Sequence, residues 1–171
     1  AAAPKEAAAP AASAGYTAKP HANLAEVMRA ITFPGSNTIF DAQTKDPGAA
    51  QKETSRETTT EKFASLYGGW QQVELASIML METANLMVVP GRLCQNGRPV
   101  PLDREDFQKG IKGLIDAGEQ ALKAAKAKNV DQIVDASGAV AEACSACHGV
   151  YRDVDIPGPG QRERCTPPPA K

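Results

Sequence analysis

An all-α four-helix bundle with long loops and disordered-like termini is the fold this 171-residue chain predicts. Three observations carry that expectation. Four segments repeat apolar residues at alternating spacings of three and four, as bundle helices do. No stretch alternates apolar and polar residues in the manner of a half-buried strand. The breaks between segments fall at proline–glycine pairs or in polar runs, where helices stop.

The chain opens AAAPKEAAAPAASAGYTAKP. It lacks the basic start and apolar stretch of a secretory signal, and residues 1–21 read as an Ala/Pro-rich flexible tail, of the kind left once a signal peptide has been removed. The bundle domain is expected over 22–157. Its first helix begins after Asn23, a good N-cap, with Leu24, Val27, Met28 and Ile31 on one face. Pro34-Gly35 is expected to interrupt it, with one more turn around Ile39 and Phe40. Residues 41–60 are polar and form a long connector. The second helix is expected from about Phe63 to Val89, with Leu66, Trp70, Val73, Ser77, Leu80, Ala84 and Met87 on its inner seam. Pro90-Gly91 ends it.

The third helix starts near Asp103, where DRED places acidic groups at the positive end of a helix dipole. Its seam is Phe107, Ile111, Leu114, Gly118, Ala121 and Ala125. The fourth starts near Asn129 with the seam Ile133, Ser137, Val140, Cys144, Cys147 and Tyr151, and Pro157-Gly158-Pro159-Gly160 stops it. Residues 158–171 form a C-terminal tail with too little apolar surface to fold alone.

Lys and Arg number 19 against 20 for Asp and Glu, a balance that gives no reason to expect nucleic acid or an anionic membrane surface as partner. Aromatics are only 5% of the chain, so the core must be built mainly from aliphatic side chains. The longest apolar run, around 77–89, is interrupted by Glu82, Thr83 and Asn85 and falls short of the ~20 residues of a membrane span.

The chemistry concentrates in EACSACHGVYR, residues 142–152. Cys144, Cys147 and His148 stand at i, i+3 and i+4 on a helix, so their side chains project over one narrow sector. That arrangement can add two thiols across the vinyl groups of a haem and set an imidazole under its iron, and C-x-x-C-H is the attachment pattern of haem c. Zinc would need a second close pair of ligands, whereas the other histidine is His21 and the other cysteines, Cys94 and Cys165, are far apart. A redox dithiol would sit at a helix start, where the dipole lowers the thiol pKa; this pair lies late in a helix. With the motif using its own pair, Cys94 and Cys165 are left either to bond each other, tethering the C-terminal tail and implying an oxidising compartment, or to stand as separate thiols.

A C-x-x-C-H motif in the last helix of an all-α chain, followed by Tyr151-Arg152, resembles the class II c-type cytochromes, the four-helix bundles of the cytochrome c′ and c-556 kind. The resemblance covers roughly residues 22–153. It implies one covalent haem c, thioethers from Cys144 and Cys147, His148 as proximal iron ligand, and Arg152 packed near that imidazole. In low-spin relatives a first-helix methionine completes the coordination, and Met28 is the candidate, with core filling as its alternative. Met87 is the reserve, Met79 and Met81 belong to the second helix, and His21 lies before the helix start. Arg29, Arg92 and Arg98 are candidates to pair with propionates, and Trp70 to pack on the porphyrin. The expected function is a periplasmic carrier of single electrons, not an enzyme, working with redox partner proteins, free or docked on a larger membrane-bound complex. The alternative is a five-coordinate binder of NO or CO with Met28 off the iron. Relatives are often dimers through the first two helices, so a homodimer is a further expectation.

Overall fold

The computed structural model describes residues 17–49, 58–59 and 67–152 together with Cys165. Among the described residues four helical rods form the bundle. The first consists of α1 (Leu24–Val27), a π-helical turn over Met28–Thr32 and α2 (Phe33–Phe40), closed by a 3-10 turn at Asp41–Gln43. The others are α3 (Trp70–Met87), α4 (Glu105–Ala127) and α5 (Val130–Tyr151). Packing runs from α2 to α3, α3 to α4, α4 to α5 and back from α5 to α2, which closes the ring. Among the described residues the β pairing is a single antiparallel bridge, Leu93–Pro99, and no helix is long and apolar enough to cross a membrane.

The first rod starts at a capping box. Asn23 Oδ1 accepts from the Glu26 N–H at 3.0 Å, and Glu26 Oε2 accepts from the Asn23 N–H at 2.8 Å, so two of the orphan amide groups of a helix start are satisfied. Contrary to expectation, Pro34-Gly35 does not interrupt this rod. In an ordinary α-helix a proline ring collides with the carbonyl four residues back and lacks an N–H to donate. Here the turn before Pro34 is wide: the Phe33 N–H donates to Met28 O, five residues back. The extra residue in the turn makes room for the ring, and the helix continues to Phe40. Gly35 is a packing residue rather than a breaker, since a Cβ there would meet Ala76 O and Met79 Cβ at 3.4 Å.

The second rod is shorter than its periodicity predicts. Tyr67–Gly69 are not helical, Gly69 has φ 62, and α3 begins at Trp70. The expected start at Phe63 and the seam position Leu66 lie outside the described residues, as do 50–57 and 60 of the connector, residues 1–16 of the N-terminal tail, and all of 153–171 except Cys165, including the expected stop at Pro157. From Trp70 on, the predicted seam turns inward: Val73, Ser77, Leu80, Ala84 and Met87 are buried.

The third and fourth rods form a tight antiparallel hairpin. Lys128 ends α4 in the left-handed conformation, φ 51, and Asn129 caps α5 by accepting the Gln132 N–H on Oδ1 at 2.9 Å. The α4 seam is buried throughout, and small residues let the rods approach closely. At Gly118 a Cβ would lie 2.6 Å from Met81 Cγ and 3.3 Å from Ser77 O, so the α3–α4 contact needs the missing side chain.

The 90–102 loop is packed rather than open. Cys94 N–H donates to Arg98 O at 2.8 Å, Val100 N–H to Arg92 O at 3.1 Å, and Leu24 N–H to Leu93 O at 2.8 Å, which ties the loop to the start of the first rod. Cys94 and Cys165 form a disulfide with Cα atoms 5.8 Å apart. The Cys165 N–H donates to Tyr151 O, so this residue also answers a carbonyl at the C-terminal end of α5.

Candidate haem-binding site

A cavity of about 220 Å³ opens between the first rod and the C-terminal end of α5. Met28 and Thr32 line it from the first rod, Phe107 from α4, and Cys144, Cys147 and His148 from α5. The wide turn decides what the first rod presents. Four residues advance an ordinary α-helix by about 400°, so positions spaced by four drift roughly 40° at each step. A π-helical turn rotates less per residue and cancels that drift, and Leu24, Met28, Thr32 and Ser36 all line the same cavity.

On α5 the three motif side chains share one sector, as their spacing predicts, and each is half-buried. Cys144 and Cys147 are free thiols. Burial pushes the Cys144 thiol up against a smaller opposing effect of the Arg152 charge, and burial, with Cys144 and Asp106 nearby, pushes Cys147 up to about 11. A redox dithiol or a thiolate ligand needs the opposite shift. Among the described residues no group of three or more His, Cys, Asp or Glu side chains gathers as a metal site.

Below the motif, Tyr151 ties α5 to the start of α4. Its hydroxyl donates to Asp106 Oδ1 at 2.6 Å and accepts from Arg104 Nε at 2.9 Å. Arg104 also reaches Asp106 directly, at 3.0 and 2.7 Å, and the Phe107 ring meets Tyr151 edge-on with centroids 5.4 Å apart. The Arg104 guanidinium, then the Tyr151 hydroxyl, holds the Asp106 carboxyl down at about 2. Burial, then the Asp106 hydrogen bond, pushes Tyr151 up to about 12.

The structure sorts the remaining sequence candidates. Arg29 and Arg152 line the cavity, and the Arg152 N–H donates to His148 O at 2.9 Å. Met87 lines it too, while Met79 and Met81 pack at Gly35 and Gly118 instead. Arg92 is a correction: it is buried, with Nε donating to Leu86 O at 2.8 Å and Nη1 to Ala22 O at 2.6 Å, so it braces the loop and does not line the cavity. Arg98 and His21 are exposed and away from the cavity. Trp70 is also a correction, since its indole nitrogen lies beside Gly48 and not in the cavity. The sequence reading missed Thr32 and Ser36. Their spacing of four and eight from Met28 was the available signal, hidden by the expectation of a break at Pro34.

A helical bundle that sets C-x-x-C-H from its last rod into a largely apolar cavity, with a methionine of the first rod lining that cavity too, is consistent with a bundle-type c cytochrome. Residues 100–152, which contain α4, α5 and the motif, match the family model described as Cytochrome C′. The match covers this stretch alone, and the cytochrome c′ family it names binds a covalently attached haem c. No curated protein and no solved structure matches the chain. The donor set fits such a group. Two half-buried thiols and an imidazole at the right helical spacing border one cavity, so Cys144 and Cys147 would hold the porphyrin covalently and His148 would stand beneath its iron.

Proposed function

We propose that the chain is a mono-haem c-type cytochrome of the periplasm that carries single electrons, with low-spin iron held between His148 and Met28. The observation that carries the reading is that Met28 lines the cavity that Cys144, Cys147 and His148 also line. A histidine–methionine pair raises the reduction potential and leaves no open coordination position. A bound haem would supply the one-electron chemistry, and the chain would supply its attachment through Cys144 and Cys147, donors from His148 and Met28, and a largely apolar wall. Arg152 keeps positive charge beside the proximal helix end, and Arg29 stands at the cavity for a propionate. Among the described residues the cavity wall carries no carboxylate and, besides His148, no imidazole, so these residues offer no distal carboxylate or histidine for peroxide chemistry. That favours a carrier over an enzyme. The Cys94–Cys165 disulfide favours an oxidising compartment. The partners are redox proteins, reached either by a free carrier or by a subunit of a larger complex.

Visible spectra of the haem-loaded protein, oxidised and dithionite-reduced, with and without carbon monoxide, test this reading. Sharp low-spin bands indifferent to the gas, with a Met28→Ala variant that responds to it, are expected. A high-spin spectrum that shifts at once on adding the gas overturns the carrier and makes the chain a five-coordinate binder of NO or CO. Absence of haem bands after expression with haem-attachment machinery overturns both.

A further inference from the structure

Thr32 is the one described residue with a buried side-chain polar atom that finds no hydrogen-bond partner. The contrast with the other buried hydroxyls is direct. Ser36 donates to Phe33 O at 3.1 Å, Ser77 to Val73 O at 2.8 Å, Thr83 to Met79 O at 2.5 Å and Ser137 to Val134 O at 2.6 Å. Each of these satisfies itself on the preceding turn of its own helix, the usual solution for a hydroxyl inside a helix. Thr32 does not. It closes the π-helical turn, where the carbonyl four residues back, Met28 O, takes the Phe33 N–H. The residue is only 3% exposed, and it lines the cavity. A buried donor without an acceptor is rare and costly, so this hydroxyl points to a group that the cavity is built to receive.

The π-helical turn also sets Met28 and Thr32 four residues apart along the cavity-lining side of the first rod. Met28 opens the turn and Thr32 closes it, and both line the cavity. We propose that the Thr32 hydroxyl donates a hydrogen bond to the Met28 sulphur when that thioether completes the coordination of the haem iron. The proposal rests on the reading of Met28 as sixth ligand. An iron-bound thioether keeps one lone pair, and that pair can accept a hydrogen bond. A donor on it draws electron density from the sulphur, favours ferrous over ferric iron and raises the reduction potential. It also holds one rotamer of a side chain that otherwise adapts freely. Thr32 is thus a positioning residue, acting on the iron through Met28.

The test uses the full chain loaded with haem, as wild type, Thr32→Val and Thr32→Ser. Thr32→Val keeps the shape and removes the hydroxyl; Thr32→Ser keeps the hydroxyl and removes the methyl. Two readouts are taken, the midpoint potential by redox titration and the iron–sulphur charge-transfer band at the red end of the ferric spectrum. Thr32→Val is expected to titrate at a lower potential with the band displaced, and Thr32→Ser to keep both near wild type. Should the valine variant fold poorly, Thr32→Ala carries the same expectation. Unchanged potential and band in the hydroxyl-free variants overturn the proposal, and so does a serine variant that behaves like valine, because the methyl would then be the active group. A wild-type protein without the band overturns the Met28 reading and the proposal together, and does so before any variant is compared.

Discussion

The hydroxyl of Tyr151 offers the sharpest test of how the proximal end of the site is held. Tyr151→Phe keeps the ring, its edge contact with Phe107 and its burial, and removes one oxygen. That oxygen donates to Asp106 at 2.6 Å and accepts from Arg104 at 2.9 Å. Hydrogen bonds to charged groups are worth about 1.5–3 kcal/mol when dry. Here the Arg104 and Asp106 side chains are 34% and 42% exposed and keep their own ion pair, so both can turn to water when the hydroxyl goes. The expected loss is therefore about 1 kcal/mol at neutral pH, roughly 2–4 °C in melting temperature for a domain of this size. The sign of the pH dependence follows from Asp106, whose carboxyl is held at about 2. A depressed carboxyl contributes stability that is fully present above its unfolded pKa, about 3.9, and is lost as pH falls through about 2. The gap between wild type and Tyr151→Phe should accordingly be constant between about pH 5 and 8 and shrink below pH 4. Urea unfolding of the haem-loaded protein at several pH values measures it. A gap near zero at neutral pH, or one that does not change on acidification, refutes the argument that this hydroxyl joins α5 to α4.

Three further variants probe the frame around the site. Phe107→Ala removes a ring that is 1% exposed and borders the cavity, and should cost about 3–5 kcal/mol in chemical denaturation. Asn129→Ala removes the acceptor for the Gln132 N–H at the start of the motif-bearing helix and should cost about 1 kcal/mol in the same assay. Replacing Cys94 and Cys165 together by serine opens a loop with a sequence separation of 71, which should lower stability by about 4 kcal/mol in the chain-entropy model. Reductant should then destabilise the wild type and leave the double variant unchanged.

Periodicity in the sequence is a local signal, and it served where local forces decide. The α4 seam from Phe107 to Ala125, the Asn129 cap and the shared sector of Cys144, Cys147 and His148 all depend on residues within a turn or two of each other. The motif even carried the cofactor class, because its chemistry lies within five consecutive residues. Local reasoning also misjudged the first rod. Proline followed by glycine signals a stop by its own stereochemistry, yet here one wide turn accommodates the ring while Gly35 packs on Ala76 and Met79 of α3. A helix break avoids a local clash; continuing the helix buries surface that only the assembled bundle supplies.

The same division separates the parts of the site. That two thiols and an imidazole share a helix face is legible in the spacing of Cys144, Cys147 and His148, since helical geometry suffices for it. It took the packed bundle to bring Met28 to the same cavity, to commit Arg92 to carbonyls of Leu86 and Ala22, and to set Trp70 by Gly48 instead. It likewise brought Tyr151 to Arg104 and Asp106 and left the Thr32 hydroxyl without a partner beside Met28. Most of these are meetings between residues far apart in the chain, set by how the rods pack, while Thr32 and Met28 share one rod and are placed by the single widened turn that rotates its face.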